Sequence, residues 1–265
     1  MNKGEDEEGG PSGDLVSEYS IEKNDHEDPF SAAKDSPETR KPLINCKEFS
    51  IGEFDIRLHK GDRLVILGFP ESGKTTFIST ILGSVNILKG SVKYRGKIGY
   101  VSQKTWYRDQ WIKNNIIMGR KENTELLKEV YRLAELEQEL EFLSRKDRTR
   151  MNDTNFFSEG QKKRISIARA LYGKPDILLM DDPFISLDNE TSKLIYENIC
   201  KALPDSLIIT ATHTASIIQP KDKVMIFENG VVKEYGEYSS IQKTSVLLHK
   251  LTESSPANES NPAYR

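Results

Sequence analysis

Gly68-Phe69-Pro70-Glu71-Ser72-Gly73-Lys74-Thr75 fits the pattern G-x-x-x-x-G-K-[ST], and its surroundings decide how it is read. The apolar run Arg63-Leu64-Val65-Ile66-Leu67 before it predicts a buried strand. Lys74 to Leu82 after it predicts a helix. A strand–loop–helix of this composition suits a polyphosphate. Backbone N–H groups at the helix start converge on the anion, and glycines let the chain come close. Lys74 brings positive charge to the β- and γ-phosphates, and the Thr75 hydroxyl is offered to Mg²⁺. The candidate cradle is the whole loop, Phe69, Pro70, Glu71 and Ser72 included, together with Thr76.

Ile177-Leu178-Leu179-Met180-Asp181-Asp182 predicts a second buried strand, ending in two carboxylates. In a parallel sheet the carboxyl ends of the strands face the ligand crevice. Asp181 is expected to reach the metal held by Thr75, directly or through water. Asp182 is expected beside the γ-phosphate, where a general base for water is wanted.

The other elements alternate. Leu43 to Leu58 reads as two short strands around Gly52-Glu53, and Lys97 to Ser102 as another strand. Residues 111–145 and Glu159 to Leu171 read as helical, as do residues 189–202. Leu207 to Thr210 reads as a strand. Val224 to Phe227 and Val231 to Lys233 flank Asn229-Gly230, a strong hairpin signal. Strands alternating with helices predict an α/β fold with a largely parallel sheet under helical cover.

Of 265 residues, 38 are Lys or Arg and 41 Asp or Glu, a formal charge of −3. Residues 1–42 hold 12 acids and 5 bases with few large apolar side chains, and read as an acidic disordered tail. Residues 251–265, with Pro256 and Pro262, read as a second tail, leaving 43–250 as one folded unit. The small basic surplus in that unit argues against a nucleic-acid partner. Apolar runs as short as Leu64 to Leu67 predict no transmembrane segment, since a spanning helix needs about 20 such residues. Cys46 and Cys200 read as packed thiols in a reducing compartment.

Four further motifs, in order and spacing, resemble the ATP-binding cassette (ABC) nucleotide-binding domain. Gln103 follows the strand Gly99-Tyr100-Val101-Ser102, where that family has its Q-loop. Phe157-Ser158-Glu159-Gly160-Gln161 stands in place of the signature L-S-G-G-Q, and Lys162 to Ala170 continues it in the family's style. Ser186-Leu187-Asp188 looks like the D-loop, and His213 like the switch histidine. The short interval from Lys74 to Gln103, Asp182 in place of the usual glutamate, and Asn114 to Gly119 after the Q-loop look like a first nucleotide-binding domain of the multidrug-resistance-protein and chloride-channel (ABCC) branch.

The resemblance implies a P-loop NTPase with a RecA-like core, an antiparallel β subdomain and an α-helical subdomain. It implies ATP and Mg²⁺ as ligands, a second nucleotide-binding domain stacked head to tail, and the membrane-spanning domains of a transporter, met at the cytoplasmic face of the membrane. Ser158, Gly160 and Gln161 would then touch ATP held by the partner. Gln103 would sense the metal and the attacking water, His213 would bond the γ-phosphate, and Asp188 would couple the two sites. Trp106 and Trp111 are either core aromatics or the socket of a membrane-domain helix. Phe49 and Phe54 are candidates for stacking on adenine, or core. Soluble cassette proteins acting on DNA or ribosomes fit less well.

Two departures from the pattern matter. Asp182 is one methylene shorter than glutamate, which predicts slow hydrolysis. Glu159 puts a carboxylate where glycine would let backbone N–H groups approach a phosphate, unless it turns away to Lys162 or Lys163. The outcome is an ABC-type ATPase with a degenerate site of its own, or a non-hydrolytic ATP-binding module that gates a channel or partner.

Overall fold

The computed structural model describes residues 50–152 and 157–253. The expected tails, apart from residues 251–253, lie outside the described residues, as do Cys46 and Phe49. Six strands form one sheet in the order β2-β3-β4-β1-β5-β6. They are β1 (Arg63–Leu67), β2 (Ile98–Val101), β3 (Ile177–Asp181), β4 (Leu207–Thr212), β5 (Lys223–Glu228) and β6 (Val231–Glu237). All neighbours pair in parallel except β5 and β6. β1, β3 and β4 are buried along almost their whole length because the sheet is covered on both faces there.

One face packs on helix α1 (Lys74–Ile81), through Leu64, Ile66, Leu179, Ile209 and Phe77. The other face carries α2 (Ile112–Ile117), α3 (Thr124–Leu133), α4 (Glu137–Phe142), α5 (Glu159–Tyr172) and α6 (Asn189–Ala202). Their side chains share a core with Val65, Leu67, Leu178 and Met180. Cys200 is half-buried against this core, and burial pushes its thiol pKa up. The fold is therefore the expected α/β one, with a helical part inserted between β2 and β3.

Two expectations differ. Residues 51–58 form no strand, and the antiparallel part of the described structure is the β5–β6 hairpin. The segment lies on the α1 side and packs Ile51, Ile56 and Leu58 against it, while Gly52 N–H donates to Gly230 O at 2.8 Å. Residues 84–97 also lack strand and leave Val85, Ile87, Leu88 and Tyr94 exposed. Without a buried face, residues 84–97 have no packing force that sets a strand register. At the other end the chain continues into α7 (Tyr238–Thr244) and α8 (Val246–Glu253). The Ser245 hydroxyl accepts from Leu248 N–H at 2.9 Å at the start of α8, and Leu248 and Leu251 are buried.

A buried ion pair fastens β1 to this C-terminal part. Arg63 Nε lies 2.9 Å from Asp222 Oδ1, and Asp222 has no exposed side-chain surface. Tyr196 of α6 donates to Asp222 Oδ2 at 3.1 Å, and Gln219 N–H donates to the same oxygen at 2.8 Å. Asp222→Ala would leave the Tyr196 hydroxyl without its partner and the Arg63 guanidinium without its counter-charge, with the Gln219 amide oxygen still accepting from it. We expect a loss of about 3–5 kcal/mol in urea unfolding, the usual cost of breaking a buried pair from one side.

Candidate functional site

β1, β2, β3 and β4 are parallel and end at the same edge of the sheet, so the loops after them converge. β1 delivers the phosphate loop. Gly68 and Gly73 have φ of 159° and 116°, and Glu71 adopts φ 63°, a left-handed conformation that costs a non-glycine residue energy. A Cβ on Gly68 would lie 2.4 Å from Ser72 Oγ and 2.6 Å from Phe227 O, so only glycine fits there. Gly230 N–H donates to Ser72 O at 2.9 Å, so the β5–β6 turn buttresses the loop from below.

No side chain caps α1 at Gly73, which leaves its first N–H groups to an external acceptor. Lys74 is buried, and its ammonium donates to Gly68 O at 2.7 Å and Phe69 O at 2.9 Å. Burial lowers its pKa, against the pull of Asp182 and Asp181. Thr75 Oγ1 donates to Asp181 Oδ1 at 3.1 Å. Asp181 is fully buried and its Oδ2 has no hydrogen-bond partner. The fit to Mg²⁺ is good: a hydroxyl and a hard carboxylate oxygen meet where phosphate oxygens and waters could complete six ligands.

Asp182 follows at the end of β3 with φ 41°, its N–H donating to Ala211 O at 2.9 Å. His213 Nδ1 lies 3.0 Å from Asp182 Oδ1, and Gln103 Nε2 lies 3.5 Å from Asp182 Oδ2. β4 runs to Thr212, two residues beyond expectation, and so places His213 at the sheet edge. Lys74, Thr75, Asp181, Asp182, Gln103 and His213 thus share one edge, while Thr76 sits half-buried in the first turn of α1.

The other candidates form a second cluster around the start of α5. Ser158 and Gln161 close a reciprocal cap: Ser158 N–H donates to Gln161 Oε1 at 2.9 Å, and Gln161 N–H to Ser158 Oγ at 3.2 Å. A Cβ on Gly160 would meet Ser186 O at 2.7 Å and a Leu187 methyl at 2.9 Å. Glycine is required there by the packing of α5 on the 186–188 loop. Asp188 caps α6, accepting from Thr191 N–H at 2.8 Å, and these hydrogen bonds hold its carboxyl below the usual range. Glu159 turns away, with Oε1 at 2.7 Å from Lys162 Nζ and Oε2 accepting from Thr105 Oγ1 at 3.2 Å. Its hydrogen bond from Lys162 lowers its pKa.

The described aromatic candidates all keep open surface, Phe54 included at 41% exposure. Phe54 stacks on Phe77 at 5.5 Å and meets Phe227 edge-on at 6.4 Å. Trp106 and Trp111 are 49% and 42% exposed, too open for core aromatics. The Arg169 guanidinium lies 3.9 Å over the Trp106 ring and donates to Trp106 O and Asn115 O. Three contributors escape a reading of the sequence. Lys163, Thr105 and the β5–β6 turn carry no site motif, although Asn229-Gly230 announces the turn itself.

Two outcomes follow. Burial raises the Asp181 pKa, so its ionised form opposes folding. That group's favourable share is complete below the ordinary carboxylate range and is lost as pH rises through the raised value. Asp181→Asn should therefore raise the melting temperature by roughly 2–4 °C without nucleotide or metal, the scale of about 1 kcal/mol in a domain of this size. Gly160→Ala should cost about 1–3 kcal/mol in chemical unfolding, because the 186–188 loop must shift.

The family model for the ABC transporter matches residues 51–185. ABC transporter C family member 5 of Arabidopsis thaliana is 33% identical over 194 residues, 72% of this chain and 13% of that protein. The cystic fibrosis transmembrane conductance regulator of Danio rerio is 33% identical over 192 residues, 72% and 13% of the two chains. ATP-binding cassette sub-family C member 4 of Mus musculus is 32% identical over 188 residues, 70% and 14%. The chain spans less than a fifth of the length of each of these three relatives.

Proposed function

The chain belongs to the ABC transporter family, as a P-loop nucleotide-binding domain of the C-family type, and from that premise we propose that it binds ATP with Mg²⁺ and pairs with a second cassette to drive or gate a membrane assembly. The observation that carries this reading is the meeting of Thr75 Oγ1 and Asp181 Oδ1, 3.1 Å apart, beside the uncapped start of α1. Lys74 would exchange its two loop carbonyls for phosphate oxygens. Thr75, Asp181 and Gln103 would hold the metal, and Phe69 to Gly73 would wrap the phosphates with their backbone. Bound Mg²⁺ supplies neutralisation of the charge that develops on the transferring phosphoryl group.

Asp182 would then orient the attacking water and take its proton, with His213 bonded to the γ-phosphate. The carboxylate is short, and His213 holds it on the sheet edge, with Gln103 Nε2 at 3.5 Å from its other oxygen. Those two features support a site that keeps ATP longer than it cleaves it. Ser158, Gly160 and Gln161 would present the α5 start to a nucleotide on the partner, with the caps of α5 and α6 keeping that surface rigid. Asp188 would lie at the junction of the pair. The exposed Trp106 and Trp111, anchored through Arg169 and Asn115, suit a helix of a membrane-spanning domain at the cytoplasmic face. No helix among the described residues is long and apolar enough to cross a membrane. The domain would be 43–250, with acidic and polar tails as linkers.

Thermal unfolding with and without ATP, each with Mg²⁺ or chelator, tests the reading. We expect stabilisation that needs both ligands and disappears in Lys74→Ala. Turnover by the isolated chain should be slow, and Asp182→Glu should raise it by about 10–100-fold, the scale of a base misplaced by about 1 Å. Brisk hydrolysis by the unmodified monomer would exclude the slow-site reading.

A further inference from the structure

Glu159 occupies a glycine position of the signature, and its carboxylate reaches across to another loop. Oε1 accepts from Lys162 Nζ at 2.7 Å, and Oε2 accepts from Thr105 Oγ1 at 3.2 Å. Thr105 lies two residues beyond Gln103, in the loop after β2. One position further along α5, Lys163 is 2% exposed and donates to Ser102 O at 2.9 Å and Gln103 O at 2.6 Å. The start of α5 thus grips the loop at its root through Lys163, one turn in, and at its middle through Glu159. The two grips border a cleft of about 460 Å³ lined by Thr105, Tyr107, Glu159, Lys162 and Ser186.

Gln103 itself is weakly held. Its side chain meets Asp182 at 3.5 Å, the outer limit of a hydrogen bond. Where that side chain sits is therefore decided by the anchoring of its backbone. Lys163 anchors the Gln103 carbonyl, and Arg169 holds the far side of the loop through Trp106 O at 3.0 Å and the Trp106 ring. The tie at Thr105 fastens the stretch between these two anchors, on the side nearer Gln103.

We propose that Glu159 is a positioning residue: by holding Thr105 it locks the loop of residues 102–107 onto the start of α5 and keeps Gln103 against Asp182. The same side chain that displaces the signature glycine thereby couples the signature turn to this chain's own carboxylate edge. The tie is a property of the free chain, while its effect on hydrolysis rests on the nucleotide reading above.

The two tryptophans of the chain allow a direct test. In a Trp111→Phe background, Trp106 reports on the residue next to Thr105. We would measure acrylamide quenching of Trp106 without nucleotide, with far-UV circular dichroism to verify the fold. Glu159→Gly and Thr105→Val should each raise the quenching constant, by up to about twofold, as expected for loss of one half-exposed contact. Thr105→Ser and Glu159→Gln keep a hydroxyl donor and an oxygen acceptor, and should retain the parental value. Unchanged quenching in both disruptive variants, or a Thr105→Ser chain as loose as Thr105→Val, would overturn the lock. ATP–Mg²⁺ stabilisation of the parent is scored separately. If it is absent while the loop loosens as expected, the nucleotide reading fails and the lock stands. If it is present while the loop stays unchanged, the lock fails and the nucleotide reading stands.

Discussion

Four charged side chains are buried together at the carboxyl edge of the sheet, and their mutual neutralisation is the constraint on which the site depends. Lys74 and Lys163 each lose affinity for their proton through burial, and each is held in its charged form by Asp181 and Asp182. Burial raises the Asp181 pKa in turn, against the opposing pull of Thr75, Lys163 and Lys74. Two carboxylates and two ammonium groups offset one another's charge in little water, and the burial cost left over falls on Asp181. Each ammonium is also hydrogen-bonded to backbone carbonyls, Lys74 to the phosphate loop and Lys163 to the loop after β2. Charge balance and loop placement are therefore one problem here.

This arrangement separates two kinds of residue that a motif scan treats alike. Lys74, Thr75 and Asp181 are placed by the sheet itself, because β1 and β3 flank β4 in strict parallel register. Gln103, Glu159 and Ser158 are placed by polar contacts between a loop and a helix start. The first group shares the rigidity of the core. The second is tied to that core through Lys163 and the cap of α5 rather than through strand register.

Much of this is legible in the sequence, and the rest is not, for physical reasons. Leu64 to Leu67 and Ile177 to Met180 announce themselves because a strand buried on both faces needs an unbroken apolar run. The phosphate loop is legible because few residue types allow its backbone. The segment 51–58 misleads, since alternating apolar residues also suit an extended chain packed on a helix. Lys163 is hidden for a different reason. It stands beside Lys162, and nothing local distinguishes the lysine that enters the protein from the one that stays at its surface. In the sequence Glu159 reads as a repulsive charge with one escape, and the structure extends that escape by a hydroxyl from a distant loop.

The phosphate loop leans on the turn between β5 and β6, a support that lies far from it along the chain. During synthesis, the stretch from β1 to α6 leaves the ribosome long before Phe227 and Gly230 exist to brace Gly68 and Ser72. Contacts so distant in sequence close late, after most of the loop entropy has been overcome. The anion cradle is therefore incomplete until β5 and β6 have joined β1, and a chain truncated before that hairpin would display the motif without the pocket.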